Sequence, residues 1–116
     1  MTIYELLTAV RSLPDTVSFS QVMAVIEAHY HFSPTAFQNG ALENEAGKNE
    51  GSCRLFAFGL LHGLSEKEML SCFGDYYRKD VLQNPDGSDH QNIRQFMKSG
   101  WQGIRFPQPA LTPRSG

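Results

Sequence analysis

Residues 37–53 are the segment of the sequence whose residue types come closest to those of a reactive site. The segment contains three Gly, three Asn and three Glu, and it ends in Gly51-Ser52-Cys53. If a helix begins here, its free backbone amides favour an anion and its dipole stabilises a Cys53 thiolate. A cysteine hydrolase or transferase also needs a base. The histidines that can supply one are His31, His62 and His90.

Other interpretations of the same segment, in which Cys53 is not a nucleophile, compete with the cysteine site. A lone cysteine is commonly a small buried side chain, and no nucleophile-flanking motif surrounds Cys53. The acidic residues Glu43, Glu45 and Glu50 are potential ligands of a hard cation, but their order does not match an EF-hand. We favour a structural role, because Asn and Gly adopt the left-handed conformations of loops, and predict a long loop that lies across the fold as a lid. The residues that it offers for binding are Asn39, Asn44, Asn49, Gly51 and Ser52.

The spacing of the other histidines and cysteines is not that of a metal site. His29 and His31 are two residues apart, so on a helix their side chains point about 200° apart and cannot share an ion. Cys53 and Cys72 lie far apart in the sequence, and neither belongs to a CxxC motif. We therefore predict no metal and no cofactor.

Three polar residues fall at predicted helix ends. His62 lies at a helix C-terminus, where a cation interacts favourably with the last carbonyl groups. Asp89 and His90 lie in the first turn of the last predicted helix, where Asp89 complements the helix dipole. Asp89 is a candidate binding residue. His90 is expected to be exposed, with a place in a pocket as the alternative.

The elements that must position these residues are helices, because the apolar residues recur at helical spacing. Three capping boxes, each pairing an N-cap hydroxyl with a Glu or Gln three residues later, mark helix starts. These boxes are Thr2/Glu5, Ser18/Gln21 and Ser65/Glu68. The apolar pattern of the third helix continues to Val81, and Ser88 with Gln91 offers a fourth box.

Two more helices are predicted in the second half of the chain. Residues 53–62 are apolar on nearly all sides, which is typical of a helix at the centre of a bundle. Residues 88–99 form the last predicted helix. Glycine ends both of them, at Gly63 and at Gly100, because glycine readily adopts the conformation of a helix C-cap.

The predicted fold class is all-α. No run of residues shows the strict alternation of a strand. We expect a single compact bundle of about five helices, with one long loop rich in Asn, Gly and Glu. The helical domain is predicted over residues 1–106. Residues 107–116 are rich in proline and are predicted to form an irregular C-terminal tail.

The composition excludes several classes of protein. Of the 116 residues, 41% are apolar and 19% are charged, as expected of one domain with one core. The net charge is −2 and the ten basic residues are scattered, which argues against a nucleic-acid-binding protein. No apolar stretch approaches the roughly 20 residues that cross a bilayer, so membrane insertion is not expected. The start of the chain lacks the features of a cleaved secretory signal, and two cysteines do not build a disulfide scaffold.

Aromatic residues make up 11% of the chain, more than five short helices need to bury. The surplus consists of Tyr76, Tyr77, Trp101 and Phe106, of which the first three are candidate binding residues. Tyrosine and tryptophan are common anchors of protein interfaces. The leading hypothesis is therefore a non-enzymatic interaction module with a protein partner. The alternative is a small ligand-binding protein, or a cysteine-dependent hydrolase, with its site near residues 37–53.

Six strings along the chain carry a family resemblance. They are HYHFSPTAFQNG (29–40), NEGSC (49–53), LHGLS (61–65), CFGDYYR (72–78), NPDGSDHQNIR (84–94) and GWQGI (100–104). Together they resemble the HopJ family, small bacterial proteins named for a type III effector of plant-pathogenic pseudomonads, over residues 4–111. The resemblance implies a small all-α bacterial protein of unassigned function, with secretion into a host cell by a type III route as a further possibility. The missing secretory signal and the two cysteines predict the bacterial cytoplasm. It brings no catalytic residues with it.

Overall fold

A computed structural model describes residues 1–114 of the chain. Three of its helices begin at the capping boxes that the sequence predicts: α1 (Ile3–Ser12), α2 (Phe19–His29) and α4 (Glu66–Ser71). In each, the N-cap hydroxyl accepts from the amide three residues later, and the Glu or Gln side chain accepts from the N-cap amide. These three predictions are confirmed.

The central helix, α3 (Glu50–His62), begins three residues before the predicted start and ends at Gly63, as expected. Its middle, residues 55–59, is buried on all sides, which confirms its place in the core. Phe56 is the centre of that core, and its ring contacts four other aromatic rings. These belong to Phe37, Phe73, Phe96 and Trp101.

The last helix, α5 (Gln91–Ser99), ends at Gly100 as predicted but begins later than residue 88. The box predicted at Ser88 does not form, because His90 is the N-cap and has a left-handed backbone, with φ 50°. The Gln91 side chain instead donates to the Ser88 carbonyl.

The helix predicted to continue to Val81 is interrupted. It ends at Ser71, and a π-helical segment, Tyr76–Val81, follows after a turn. Gly74 is the cause, because its φ of +61° is left-handed. A Cβ at Gly74 would lie 2.8 Å from the backbone nitrogen of Phe19, so the turn packs directly against the start of α2.

The all-α prediction is wrong, because the chain also forms two small antiparallel sheets. The first pairs β1 (Tyr30–Phe32) with β5 (Leu111–Pro113). The second has the order β3-β2-β4, from β3 (Leu42–Asn44), β2 (Phe37–Asn39) and β4 (Ile104–Arg105). The fold is therefore mixed α/β. Strands of two or three residues are too short to show alternation, so the sequence pattern did not reveal them.

Two predicted irregular regions are ordered by these sheets. Much of the predicted loop over 37–53 is the β2–β3 hairpin, with Gly40 in its turn. The predicted tail is irregular only in part, because residues 107–110 form no regular element, whereas β5 pairs with β1 and Ala110 and Leu111 are buried. Residues 115 and 116 of that tail lie outside the described residues. Among the helices of residues 1–114, none is both long enough and apolar enough to cross a membrane.

Candidate functional site

A cleft of about 560 Å³ opens where α3 and α5 begin, beside the β2–β3 hairpin. The hairpin, the two helix starts, the start of α2 and the segment after α4 all contribute side chains. Polar residues that line the cleft are Glu43, Asn44, Asn49, Ser52, Tyr76, His90, Gln91 and Asn92. Apolar residues that line it are Phe19, Leu42, Phe73 and Ile93, with Gly51 between them.

Four asparagines form a hydrogen-bonded network that joins the hairpin to both helix starts. Asn44 and Asn92 bond reciprocally, with Nδ2 to Oδ1 distances of 3.1 and 2.9 Å. Asn39 donates to Asn92 Oδ1 at 3.0 Å, and Asn49 donates to Asn44 Oδ1 at 2.8 Å. Asn39, Asn44 and Asn92 are buried, so the bonds among these three are protected from water, whereas the bond from the exposed Asn49 is partly buried.

Both helix starts at the cleft lack a side-chain cap. Asn49 and His90 occupy the N-cap positions of α3 and α5, and neither side chain bonds to its own helix. They are also the two non-glycine residues with a positive φ in the described part of the chain, at 53° and 50°. The first amides of a helix have few partners within the helix, and at these two starts the N-cap side chains satisfy none of them.

His90 stands at the edge of the cleft between aromatic and acidic groups. Its Nε2 lies 3.0 Å from Asp80 Oδ2 and 3.8 Å from Asp89 Oδ2. The ring packs against Tyr76, with 5.1 Å between ring centroids. The Arg94 guanidinium donates to Asp89 Oδ1 at 2.6 Å and lowers the pKa of that carboxyl group, which is therefore ionised at neutral pH.

Gly51 gives the cleft part of its shape. A Cβ at this position would lie 3.0 Å from Cζ of Phe19, so glycine allows the aromatic ring to approach the start of α3. Ser52 follows in the first turn of the helix and is only partly buried, which leaves its hydroxyl accessible from the cleft.

Cys53 does not line the cleft, although it follows Ser52 directly. It is 2% exposed, and its thiol donates to the Thr35 carbonyl at 3.4 Å. Burial raises the pKa of Cys53, which favours the neutral thiol over the nucleophilic thiolate. Cys72 is also buried, and burial raises its pKa to about 12. The structure gives no support to the cysteine-hydrolase alternative.

The other histidines singled out in the sequence have partners elsewhere in the fold. His62 Nε2 lies 2.6 Å from the Tyr30 hydroxyl, at the far end of α3. His31 Nδ1 lies 3.2 Å from a guanidinium nitrogen of Arg114. Of the three candidate bases, His90 alone lines the cleft.

The surplus aromatic residues are mostly packed within the fold. Trp101 lies against the Phe96 ring and donates its indole N–H to the Leu64 carbonyl at 2.8 Å. Tyr77 and Phe106 pack against the core, and Tyr76 is 44% exposed at the cleft.

Sequence reasoning brought several cleft residues to attention and missed others. Asn44, Asn49, Gly51, Ser52, Tyr76 and His90 meet at the cleft, with Asn39 bonded to the network and Asp89 adjacent to His90. Asn92, Phe19 and Asp80 were missed. Asn92 had a detectable signal, because it lies next to Ile93 on the apolar side of α5. Asp80 had none, because its place beside His90 depends on the π-helical segment.

Comparison with known proteins places the whole chain in one group. A family model described as HopJ type III effector protein matches residues 3–111. A crystal structure described as that of the "unknown function protein VPA0580" has 50% sequence identity to this chain and a TM-score of 0.97. That likeness covers 98% of this chain and 95% of the other, so the mixed α/β fold is shared. No curated protein matches the chain.

Proposed function

We propose that this chain, which belongs to the HopJ type III effector protein family, binds a small polar molecule in the cleft between α3 and α5. The observation that carries the proposal is the buried asparagine network, which holds three separate segments in place around one cleft. Ligand pockets combine apolar and aromatic walls with a few well-placed polar groups, and this cleft has both.

The side chains of the cleft favour an uncharged ligand. Neither Lys nor Arg is among the described residues that line it, so an anion would find no ion pair with them, and Glu43, the carboxylate of that lining, is exposed to water. The amides of Asn49 and Gln91 and the hydroxyl of Ser52 are hydrogen-bonding groups that suit hydroxyl or amide groups of a ligand. The rings of Phe19 and Tyr76 can contact a flat or apolar face. We expect a neutral molecule that carries hydroxyl or amide groups around an apolar face.

Binding is a better proposal than catalysis. The nucleophile candidate, Cys53, is buried as a neutral thiol outside the cleft. His90 is the histidine that lines the cleft, and the polar partners of its ring are the carboxylates of Asp80 and Asp89.

A protein partner is the second candidate function. The packing of Trp101 and Phe106 within the fold removes two of its proposed anchors. Exposed apolar side chains at Leu60 and Leu61, 49% and 54% exposed, favour a contact at the end of α3 instead. Loss of a captured partner on replacing both leucines by Ser would support this candidate, and unchanged capture would count against it.

Delivery by type III secretion is proposed from the family description alone. The test is a fusion of the chain to a reporter enzyme that is active only in host cytoplasm, expressed in a bacterium with a type III apparatus. A signal that disappears when the apparatus is inactivated would support delivery. An equal signal without the apparatus, or none with it, would contradict it.

The ligand proposal is tested by ¹H–¹⁵N spectra of the full chain during titration with glucose, adenosine, acetamide and inorganic phosphate. We expect one of the three uncharged probes to shift the amides of Asn49, Ser52 and Asn92. Ser52→Tyr, which fills the cleft, should abolish the shifts. Ser88→Tyr, an exposed position that does not line the cleft, is the matched control and should retain them.

Two results would overturn this proposal. Shifts of equal size in the Ser52→Tyr protein would place the binding elsewhere. A response to phosphate with none to the three uncharged probes would contradict the neutral ligand.

A further inference from the structure

We infer that His90, Asp80 and Asp89 form a binding site for a divalent first-row transition metal at the edge of the cleft. The sequence predicted no metal, because these residues do not show the spacing of a metal motif. The π-helical segment brings Asp80 back towards the start of α5, where Asp89 and His90 lie. This inference stands independently of the ligand proposed for the cleft.

The donor atoms are close enough to share one ion. One ligand atom from each of the three residues lies within 4.8 Å of the others. His90 Nε2 is 3.0 Å from Asp80 Oδ2 and 3.8 Å from Asp89 Oδ2. Donors bonded to one zinc ion at about 2.0–2.2 Å are separated by roughly 3.3 Å, so small rotations of the two carboxylates complete the arrangement.

Two of the three donors are oriented by other residues. Arg94 donates to Asp89 twice, to the backbone carbonyl and to Oδ1, each at 2.6 Å. This leaves Oδ2 as the oxygen on the histidine side. The His90 ring is held by its packing on Tyr76. Contacts that orient ligands in this way raise the affinity of a site for its metal.

The donor set decides the class of metal. One imidazole nitrogen with two carboxylate oxygens suits Zn²⁺, Mn²⁺, Fe²⁺, Co²⁺ or Ni²⁺, whereas Mg²⁺ and Ca²⁺ prefer oxygen donors alone. Three protein ligands leave at least one position open, and His90 lines the cleft. The alternative is a simple surface pair between His90 and Asp80, whose side chain is 48% exposed.

Calorimetric titration of the untagged full chain with Zn²⁺ distinguishes a metal site from a simple surface pair between His90 and Asp80. We expect one Zn²⁺ per chain, with the affinity reduced at least about tenfold in Asp80→Asn and in His90→Asn. Asparagine tolerates the left-handed backbone of residue 90, so the second variant should fold. Asp86→Asn removes an exposed carboxylate from the same loop and should bind as the unchanged protein does.

Long-range ¹H–¹⁵N spectra of the imidazoles locate the ion. Zn²⁺ should move the Nε2 resonance of His90 and leave that of His62 in place, and a tenfold excess of Mg²⁺ should not reverse the change. Absence of Zn²⁺ binding would overturn the inference. So would a Zn²⁺ affinity that is unchanged in both Asp80→Asn and His90→Asn.

Discussion

The five α-helices of residues 1–114 begin in two different ways. Helices α1, α2 and α4 start at complete capping boxes, in which residues three apart satisfy each other. Helices α3 and α5 start at left-handed residues, Asn49 and His90, with no side-chain cap. Both of these uncapped starts line the cleft, whereas only one capped start, that of α2, reaches it, through Phe19.

The difference shows where the molecule relies on distant contacts. A capped start is stabilised by its own few residues. The starts of α3 and α5 are held instead by the asparagine network, which connects them through Asn44 and Asn92. Strained backbone that the surrounding structure holds in place is frequent at binding sites. The comparison therefore supports the binding role that we propose for the cleft.

The largest expected effect tests the network itself. Asn92→Ala removes the acceptor of Asn44 Nδ2 and one of the two acceptors of Asn39 Nδ2, so it should lower the free energy of unfolding by about 2–3 kcal/mol. Urea denaturation measures the change. Asn84→Ala, at an exposed asparagine, should cost less than about 0.5 kcal/mol. Equal costs for the two variants would contradict the network's role.

A smaller effect is expected from the left-handed backbone at residue 90. Glycine adopts φ 50° freely, whereas a β-branched residue does so at a cost. His90→Val should therefore be less stable than His90→Gly by about 1–2 kcal/mol, measured by thermal unfolding of both variants. If the two variants unfold at the same temperature, the uncapped start is not strained.

A capped helix start should lose stability when its N-cap hydroxyl is removed. Ser18→Ala removes the acceptor of the Gln21 amide and should cost about 1 kcal/mol in urea denaturation. Ser88→Ala is the matched control, because the box predicted there does not form, and its expected cost is near zero. A cost at Ser88 equal to that at Ser18 would remove the distinction between the two kinds of start.

The smallest expected effect on stability comes from His62, at the C-terminal end of α3. Burial, with a contribution from Arg11, lowers the pKa of His62, which faces the Tyr30 hydroxyl. The unfolded chain then binds a proton at a higher pH than the folded chain does. Stability should therefore fall as pH drops below about 6.5. Urea midpoints at several pH values should show this loss diminished in His62→Gln, and unchanged in the control His31→Gln.

Local signals in the sequence were sufficient for much of the helical part of the fold. The three capping boxes and the glycines at 63 and 100 act within a few residues. The helix starts and ends that they set can therefore be predicted without the rest of the chain. The helix over 88–99 shows the limit of this reasoning. Ser88 and Gln91 have the residue types of a capping box. The helix nevertheless begins at Gln91, where His90 is the N-cap and contacts Asp80 and Tyr76.

The sheets and the cleft could not be predicted in the same way. β1 and β5 pair across nearly the whole length of the chain, and each strand has three residues, too few to show a period. The candidate cleft residues near 37–53 were visible as an unusual composition. The pairing of Asn92 with Asn44 depends on the packing of α5 against the hairpin, although the apolar side of α5 already marked Asn92 as a buried amide.

The sequence by itself determined the family, the capped helices and the apolar centre of α3, because each depends on residue order or on contacts between near neighbours. Tertiary structure decided the fold class, the burial of Cys53 and the meeting of Asn44, Asn92 and His90 at one cleft. The physical reason is the range of the interactions. Caps and helical periods act over three or four residues, whereas strand pairing and buried amide networks join residues far apart in the chain and form only when the whole chain packs.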